Sequence, residues 1–349
     1  MLLRNADLPP LVDAAGAAPR LERRCVLELG RIPAGDEWLW VETRCRGLGA
    51  RQASQALARA AGIPAQQVRG TGVHDREADC TAWFSLPAAA IEQPGAIVNA
   101  GYKRKLKVAS VRGAGRAIEA SDVVALQWEL RLIKTGAALS QARELIDRLR
   151  HEGGPSHLAM AVLGGLQYAK WGRILAQGKR LPERVKGRAP APKRLLSAYR
   201  GQLFNRLVDE RLAAWMLERT RAGDLLETGR NRVDGRRELE AVRADGAMEE
   251  RIASGEAAIT GPLFGRGMPL ADGVIGQREA ELVAGLRGGV EAFRALAGVR
   301  RALAYRPTAV SLDLHGGDLL VACRLPGDVH IAALEAELVA PRVERGDAR

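Results

Sequence analysis

Strand-like alternation fills both ends of this chain and is missing from its middle, and this arrangement restricts the fold more than any other feature of the sequence. The segments ERRCVLELG (22–30) and EWLWVETRC (37–45) alternate apolar and polar residues around the turn-like IPAGDE. CTAWFSL (80–86), GYKRKLKVASVRG (101–113) and VALQWELRLIK (124–134) continue the pattern. A period of two buries one face of a strand and leaves the other to solvent. The alternation returns only at AVSLDLHGGDLLVACRLPG (309–327), across a Gly316-Gly317 hairpin turn. Residues 155–297 differ: a helical segment, LGGLQYAKWGRILAQ, is followed by a basic, proline-containing loop over 179–194 and the strongest helical signal of the chain, 195–219. GDLLE, NRVDGR and TGPLFGRG then suggest turns and short strands. A chain that leaves its strands and comes back to them predicts a discontinuous α/β domain, residues 1–153 plus 298–349, with a second domain inserted over 154–297.

Helices punctuate the outer part. ARQASQALARAAG (50–62) has helical apolar spacing and stops at Gly62, SQARELIDRLRHEGG (140–154) presents Leu145, Ile146 and Leu149 on one side, and ALEAELV closes the fold. Trp83, Trp128, Trp171 and Trp215 fall within predicted strands or helices and read as core.

Charge gives the first functional direction. Lys and Arg total 53 against 41 Asp and Glu, a net charge of +12 with a pI near 10.1. Such a balance favours polyanionic partners, because each neutralised phosphate releases condensed counterions. It is equally what arginine-filled solvated helix faces would give. Cys25, Cys45, Cys80 and Cys323 are far apart, without a CxxC pair or a neighbouring histidine, which argues against a zinc site and a disulfide framework. With no signal peptide and no long apolar run, the chain reads as cytoplasmic and without a membrane partner.

Two stretches could carry chemistry. In GVHDREADCTAW (72–83), a glycine-containing loop sets Asp75 between His74 and Arg76, just ahead of an apolar strand. By residue type, such an aspartate makes an Asx turn. Lys103, Arg104, Lys105, Lys107 and Arg112 form the densest basic cluster. On a strand Lys103, Lys105 and Lys107 would share one face and could track a phosphate backbone, or form a solvated edge.

Taken in order, these segments resemble the tRNA pseudouridine synthase D family. GVHDREADCTAW is similar to that family's catalytic segment, roughly G-x-K-D-x-x-A followed by a tryptophan, and KRKLKVASVRG (103–113) to its basic strand. SAYRGQLFNRLVDERL (197–212) resembles a signature helix of the family's inserted domain; ITGPLFGRGMP with GQREAE (259–281) and GVRRALAYRP (298–307) resemble further family segments. The resemblance implies an α+β pseudouridine synthase core of mixed, mainly antiparallel sheet flanked by helices, interrupted by an inserted α/β domain. It implies isomerisation of a D-arm uridine of tRNA, position 13 in tRNA convention, by a monomer needing no cofactor and no metal. Asp75 takes the place of the catalytic nucleophile, and His74, Lys103, Arg104, Lys105, Lys107 and Arg112 the place of RNA-contacting residues.

Breaking a C–N glycosidic bond and rejoining the base through carbon requires a group that attacks, leaves and attacks again, and a carboxylate ionised near neutral pH suits that role. The uridine must also leave its stack, which calls for cations on the flanking phosphates. This chain departs from the family pattern: His74 stands for a lysine, Ala82 for a glutamine, Ala114 for an asparagine and Arg116 for an aromatic residue whose stacking a guanidinium could imitate. PSHLAMAVLGG and PGDVHIAA replace two more family segments. If His74 supplies the positive charge beside Asp75, activity rises as pH falls towards the histidine pKa. The alternative to an active enzyme is a family member that has lost turnover and acts as a tRNA-binding or folding factor.

Overall fold

The computed structural model describes residues 20–71, 78–99, 101–102, 105–119, 122–133, 139–158, 163–187, 189–214, 216–229, 238–244, 246, 248–327, 329 and 331–339. Asp75, His74, Lys103, Arg104 and Trp215 lie outside the described residues.

The first half of the chain supplies β1 (Arg20–Leu29), β2 (Trp38–Arg46), β3 (Arg69–Thr71), β4 (Ala78–Pro87), β5 (Gly101–Tyr102), β6 (Leu106–Ala114) and β7 (Val123–Ile133). After the short β8 (Gly154–Pro155) come β9 (Leu225–Thr228), β10 (Glu238–Ala241), β11 (Ala257–Leu263), β12 (Val299–Ala302) and β13 (Ala304–Tyr305). The chain then returns through β14 (Thr308–His315) and β15 (Asp318–Pro326). A nine-stranded sheet runs β14-β15-β7-β1-β4-β2-β6-β5, with β3 beside β4. Among the described residues, only β1 and β4 pair in parallel within it. The middle of the chain builds a separate antiparallel sheet, β10-β9-β11-β12.

One face of the large sheet carries the core. Register aligns Cys45, Cys80, Cys25, Trp128 and Cys323 across five strands, and all five are buried. Helices Leu139–Glu152 and Ile331–Val339 pack Leu145, Ile146, Leu149, Ile331, Leu334 and Leu338 against this face. Helix Ala50–Ala61 covers the β2–β4 side through Ala53 and Leu57. The thiols are thus core groups; burial pushes the Cys323 thiol up to about 12. The fold is therefore mixed α+β, with mainly antiparallel sheets flanked by helices.

A second core gathers Tyr199, Leu203, Phe204, Leu207 and Val208 of helix Pro192–Ala213 against Ile259, Phe264, Leu282 and Phe293. It extends to Leu303, so β12 belongs with this second sheet although it lies beyond residue 297. Chain passes between the two bodies at β8 and β13, which pair with each other. The arginines of RRALAYRP are all occupied there. Arg300 binds Glu279, Arg301 donates to Ser156 Oγ at 3.0 Å, and Arg306 reaches Glu218 at 2.7 Å and the His151 carbonyl at 3.0 Å.

Two expectations need correction. The long helix ends at Ala213 and not at 219, because the carbonyls of Met216 and Arg219 turn back onto the Arg211 guanidinium at 3.2 Å each. Residues 101–113 are not one strand: β5 and β6 form a hairpin pairing Tyr102 with Leu106, so Lys105 is a turn residue.

Helix Gly165–Ala176 crosses Pro192–Ala213 closely enough that a Cβ on Gly172 would lie 2.1 Å from the Leu195 carbonyl oxygen. Gly172→Ala forces the helices apart and is expected to destabilise the protein by about 1–3 kcal/mol. Chemical denaturation of the two forms measures it.

Candidate nucleic-acid interface on the open face of the sheet

Positions between the buried row point to the opposite face, and there the sheet carries charge. On β1, β7 and β15 that charge is neutralised in place. Arg24 pairs with Glu129 at 3.3 Å, Arg131 with Asp318 at 2.6 Å and Glu22 at 3.7 Å, and Arg324 with Glu28 at 2.8 Å. The hydrogen bond from Arg324 holds the Glu28 carboxyl below its usual range. Such partly exposed pairs each add only about 0–1 kcal/mol to stability. Their larger effect is to cancel the field over this half of the face.

The β2–β6 half is different. Register places Arg44 opposite Lys107, and Arg112 opposite Trp40, so Arg44, Lys107 and Arg112 share this face with Arg46, while Trp40 on the same side is fully buried. Lys105 joins them from the turn that opens β6, its carbonyl accepting from the Arg46 backbone N–H at 2.8 Å. Among the described residues, none of Arg44, Arg46, Lys105, Lys107 and Arg112 has a carboxylate partner. The Arg112 guanidinium lies 6.0 Å from the centroid of the Trp83 ring, which is 6% exposed. Glu42 accepts from Ser110 Oγ at 2.8 Å, and Asp79 stands in register between Arg46 and Arg24. A cavity of about 970 Å³ opens at this end, lined by Arg24, Arg46, Ala78, Asp79, Lys105 and Arg131.

The two described residues that flank 72–77 are Thr71 on β3, paired with Trp83, and Ala78 on β4, paired with Arg23. One edge of β4 is held by β1 over residues 78–80 and by β3 over 83–85. The strands on that edge therefore fork beside Thr81 and Ala82, between the two pairings.

Of the sequence-derived candidates, Lys105, Lys107 and Arg112 meet on this basic half, whereas Lys105 reaches it from a turn. Arg44 and Arg46 were missed, although the alternation in WVETRCR sets both on one side. Of the altered positions, Ala82, Ala114 and Arg116 lie among the described residues. Ala82 and Ala114 are fully buried in the core. Arg116 is not free to stack on a base: it binds Asp122 through two hydrogen bonds of 2.9 and 2.5 Å, and that contact raises its pKa. Trp83 and Trp128 are buried as expected, but Trp171 is only half-buried and stands outside the second core.

Among the described residues, no group of three or more His, Cys, Asp or Glu side chains is placed to hold a metal ion, and no helix is long and apolar enough to cross a membrane.

Comparison with known proteins gives a consistent result. The tRNA pseudouridine synthase D family model matches residues 192–327. The chain is 32% identical to a protein named tRNA pseudouridine synthase D from Anaeromyxobacter dehalogenans (strain 2CP-1), over 97% of this chain and 96% of that protein. It is 31% identical to the protein of that name from Pseudomonas aeruginosa (strain PAO1), over 74% of this chain and 69% of that one. A solved chain from Methanosarcina mazei carrying the same family name superposes with a TM-score of 0.64 over 96% of this chain and 95% of its own, at 16% identity, and so shares the fold. Similarity of 32% over nearly the full length of both chains, with a common fold, establishes that this chain belongs to the tRNA pseudouridine synthase D family.

Proposed function

We propose that the protein converts a D-arm uridine of tRNA, at position 13, to pseudouridine, with Asp75 as nucleophile. The observation that carries the reading is the uncompensated positive charge on β2 and β6, next to the strands whose residues flank the segment containing Asp75. Phosphates flanking the target bind Arg44, Arg46, Lys107 and Arg112, and the flipped base is presented to Asp75. The carboxylate attacks the nucleoside, the C–N bond from N1 breaks, the base turns, and a bond from C5 of the base to the same sugar releases the carboxylate; C5 then gives up its proton and N1 takes one up. Atoms are only rearranged, so the reaction needs no oxidant, reductant or co-substrate. His74 holds positive charge beside the carboxylate.

Incubating unmodified tRNA with the protein and mapping pseudouridine by chemical labelling tests this reading. Product at position 13 is expected; product confined to another arm refutes the assigned site. Arg44→Glu and Lys107→Glu should each weaken tRNA binding at least about tenfold at low salt and flatten the salt dependence by about one counterion per lost phosphate contact. Titrations at several salt concentrations measure both effects.

A further inference from the structure

Away from the open sheet face, the second body combines exposed cations with a surface aromatic stack. On helix Gly165–Ala176, the half-buried rings of Tyr168 and Trp171 stack with centroids 5.9 Å apart and planes inclined by 21°. The Arg194 guanidinium lies 5.5 Å from the Tyr168 ring centroid. The site is built for this contact. Tyr168 rests on Gly164, where an added Cβ would come within 1.9 Å of the ring. The close helix crossing at Gly172 brings the first turn of Pro192–Ala213, and with it Arg194, onto that ring.

The same part of the chain is strongly basic. Lys170, Arg173, Lys179, Arg180, Arg194 and Arg287 are exposed, and none has a carboxylate partner among the described residues. Glu183 is the only acidic residue between 165 and 194. Arg287 joins from a distant part of the chain, its backbone N–H donating to the Ala176 carbonyl at 3.1 Å and its side chain lying against Gly178.

We infer that Tyr168, Trp171 and Arg194 form a second RNA contact, which stacks an unpaired base of tRNA outside the arm that carries the target uridine. The exposed cations elsewhere on this segment hold phosphates further along the strand. Aromatic faces and a guanidinium plane accept any base, so this contact adds affinity and orientation without reading sequence. The inference rests on tRNA being the substrate, and it adds where on the protein the rest of the molecule is gripped.

The test compares full-length unmodified tRNA with an isolated D-arm hairpin containing the target uridine, using the intact protein. Tyr168→Leu and Arg194→Gln are each expected to weaken binding of whole tRNA about five- to tenfold and to raise KM with kcat unchanged, while hairpin binding is unaffected. Arg194→Gln also lowers the salt slope by about one, and Tyr168→Phe, which keeps the ring, binds like wild type. Whole-tRNA binding unchanged in Tyr168→Leu and Arg194→Gln overturns the inference and leaves the synthase reading standing. Equal weakening towards the hairpin also overturns it, because the contact then belongs to the target arm. Failure of the wild-type protein to bind tRNA at all overturns both readings.

Discussion

Asp75→Asn should abolish pseudouridine formation, lowering the rate by about 10⁴-fold or more, while leaving tRNA affinity within about twofold of wild type. Removal of an attacking group commonly lowers kcat by such factors, since the remaining site positions substrate but has nothing to add to the sugar. Asparagine keeps the size of the side chain, and the affinity assigned to the phosphates resides on other residues, Arg44, Arg46, Lys107 and Arg112. Single-turnover assays with enzyme in excess, alongside equilibrium binding, separate the two effects. A parallel fall in binding and rate would indicate instead that Asp75 holds the loop in shape.

The second large effect concerns stability. Arg300 on β12 and Glu279 on helix Gly273–Val283 meet with both side chains almost fully buried, 1% and 5% exposed. Two bonds of 2.7 Å join them, and Arg300 also donates to the Thr260 hydroxyl at 3.1 Å and carbonyl at 2.8 Å. Arg300→Met strands a carboxylate and two oxygen acceptors in the interior, and should destabilise the second body by about 3–5 kcal/mol. Replacing both partners, Arg300→Met with Glu279→Leu, should recover much of that loss, because the stranded charge is what makes the single change severe. Denaturant titration of the two variants distinguishes a charge effect from a simple packing defect, for which the double variant would be the less stable.

Local structure was largely legible in the sequence. Alternation located β1, β2, β7, β14 and β15, and helical spacing located Ala50–Ala61 and Leu139–Glu152, since each is set by which residues must be buried nearby in the chain. What pairs with what was not legible. β4 lies between β1 and β2, an arrangement fixed by contacts distant in sequence. The break in 101–113 escaped notice because a charged turn residue, Lys105, has the same polarity as a solvated strand position. The end of the long helix depended on Arg211 collecting carbonyls from a later segment. Trp171 looked like core because an aromatic residue on a helix usually is; it is half-buried and stacks on Tyr168.

The basic interface was half legible for a related reason. Lys105, Lys107 and Arg112 stood out as a dense run, whereas Arg44 and Arg46 are spaced two apart and gain meaning only when β2 is set beside β6. Whether a charge is free or paired is likewise a tertiary property. Arg24 and Arg131 look no different from Arg44 in the sequence, yet each faces a carboxylate across a strand.

Turnover of the same unmodified tRNA by wild type, Asp75→Asn and Asp79→Asn tests the central claim most directly. Asp79 is the fitting comparison, being a carboxylate four residues further along, on the open face between Arg46 and Arg24. The account predicts pseudouridine from wild type and from Asp79→Asn, within about tenfold of each other, and none above background from Asp75→Asn. Product from Asp75→Asn at the wild-type rate, or loss of activity in Asp79→Asn alone, would contradict it.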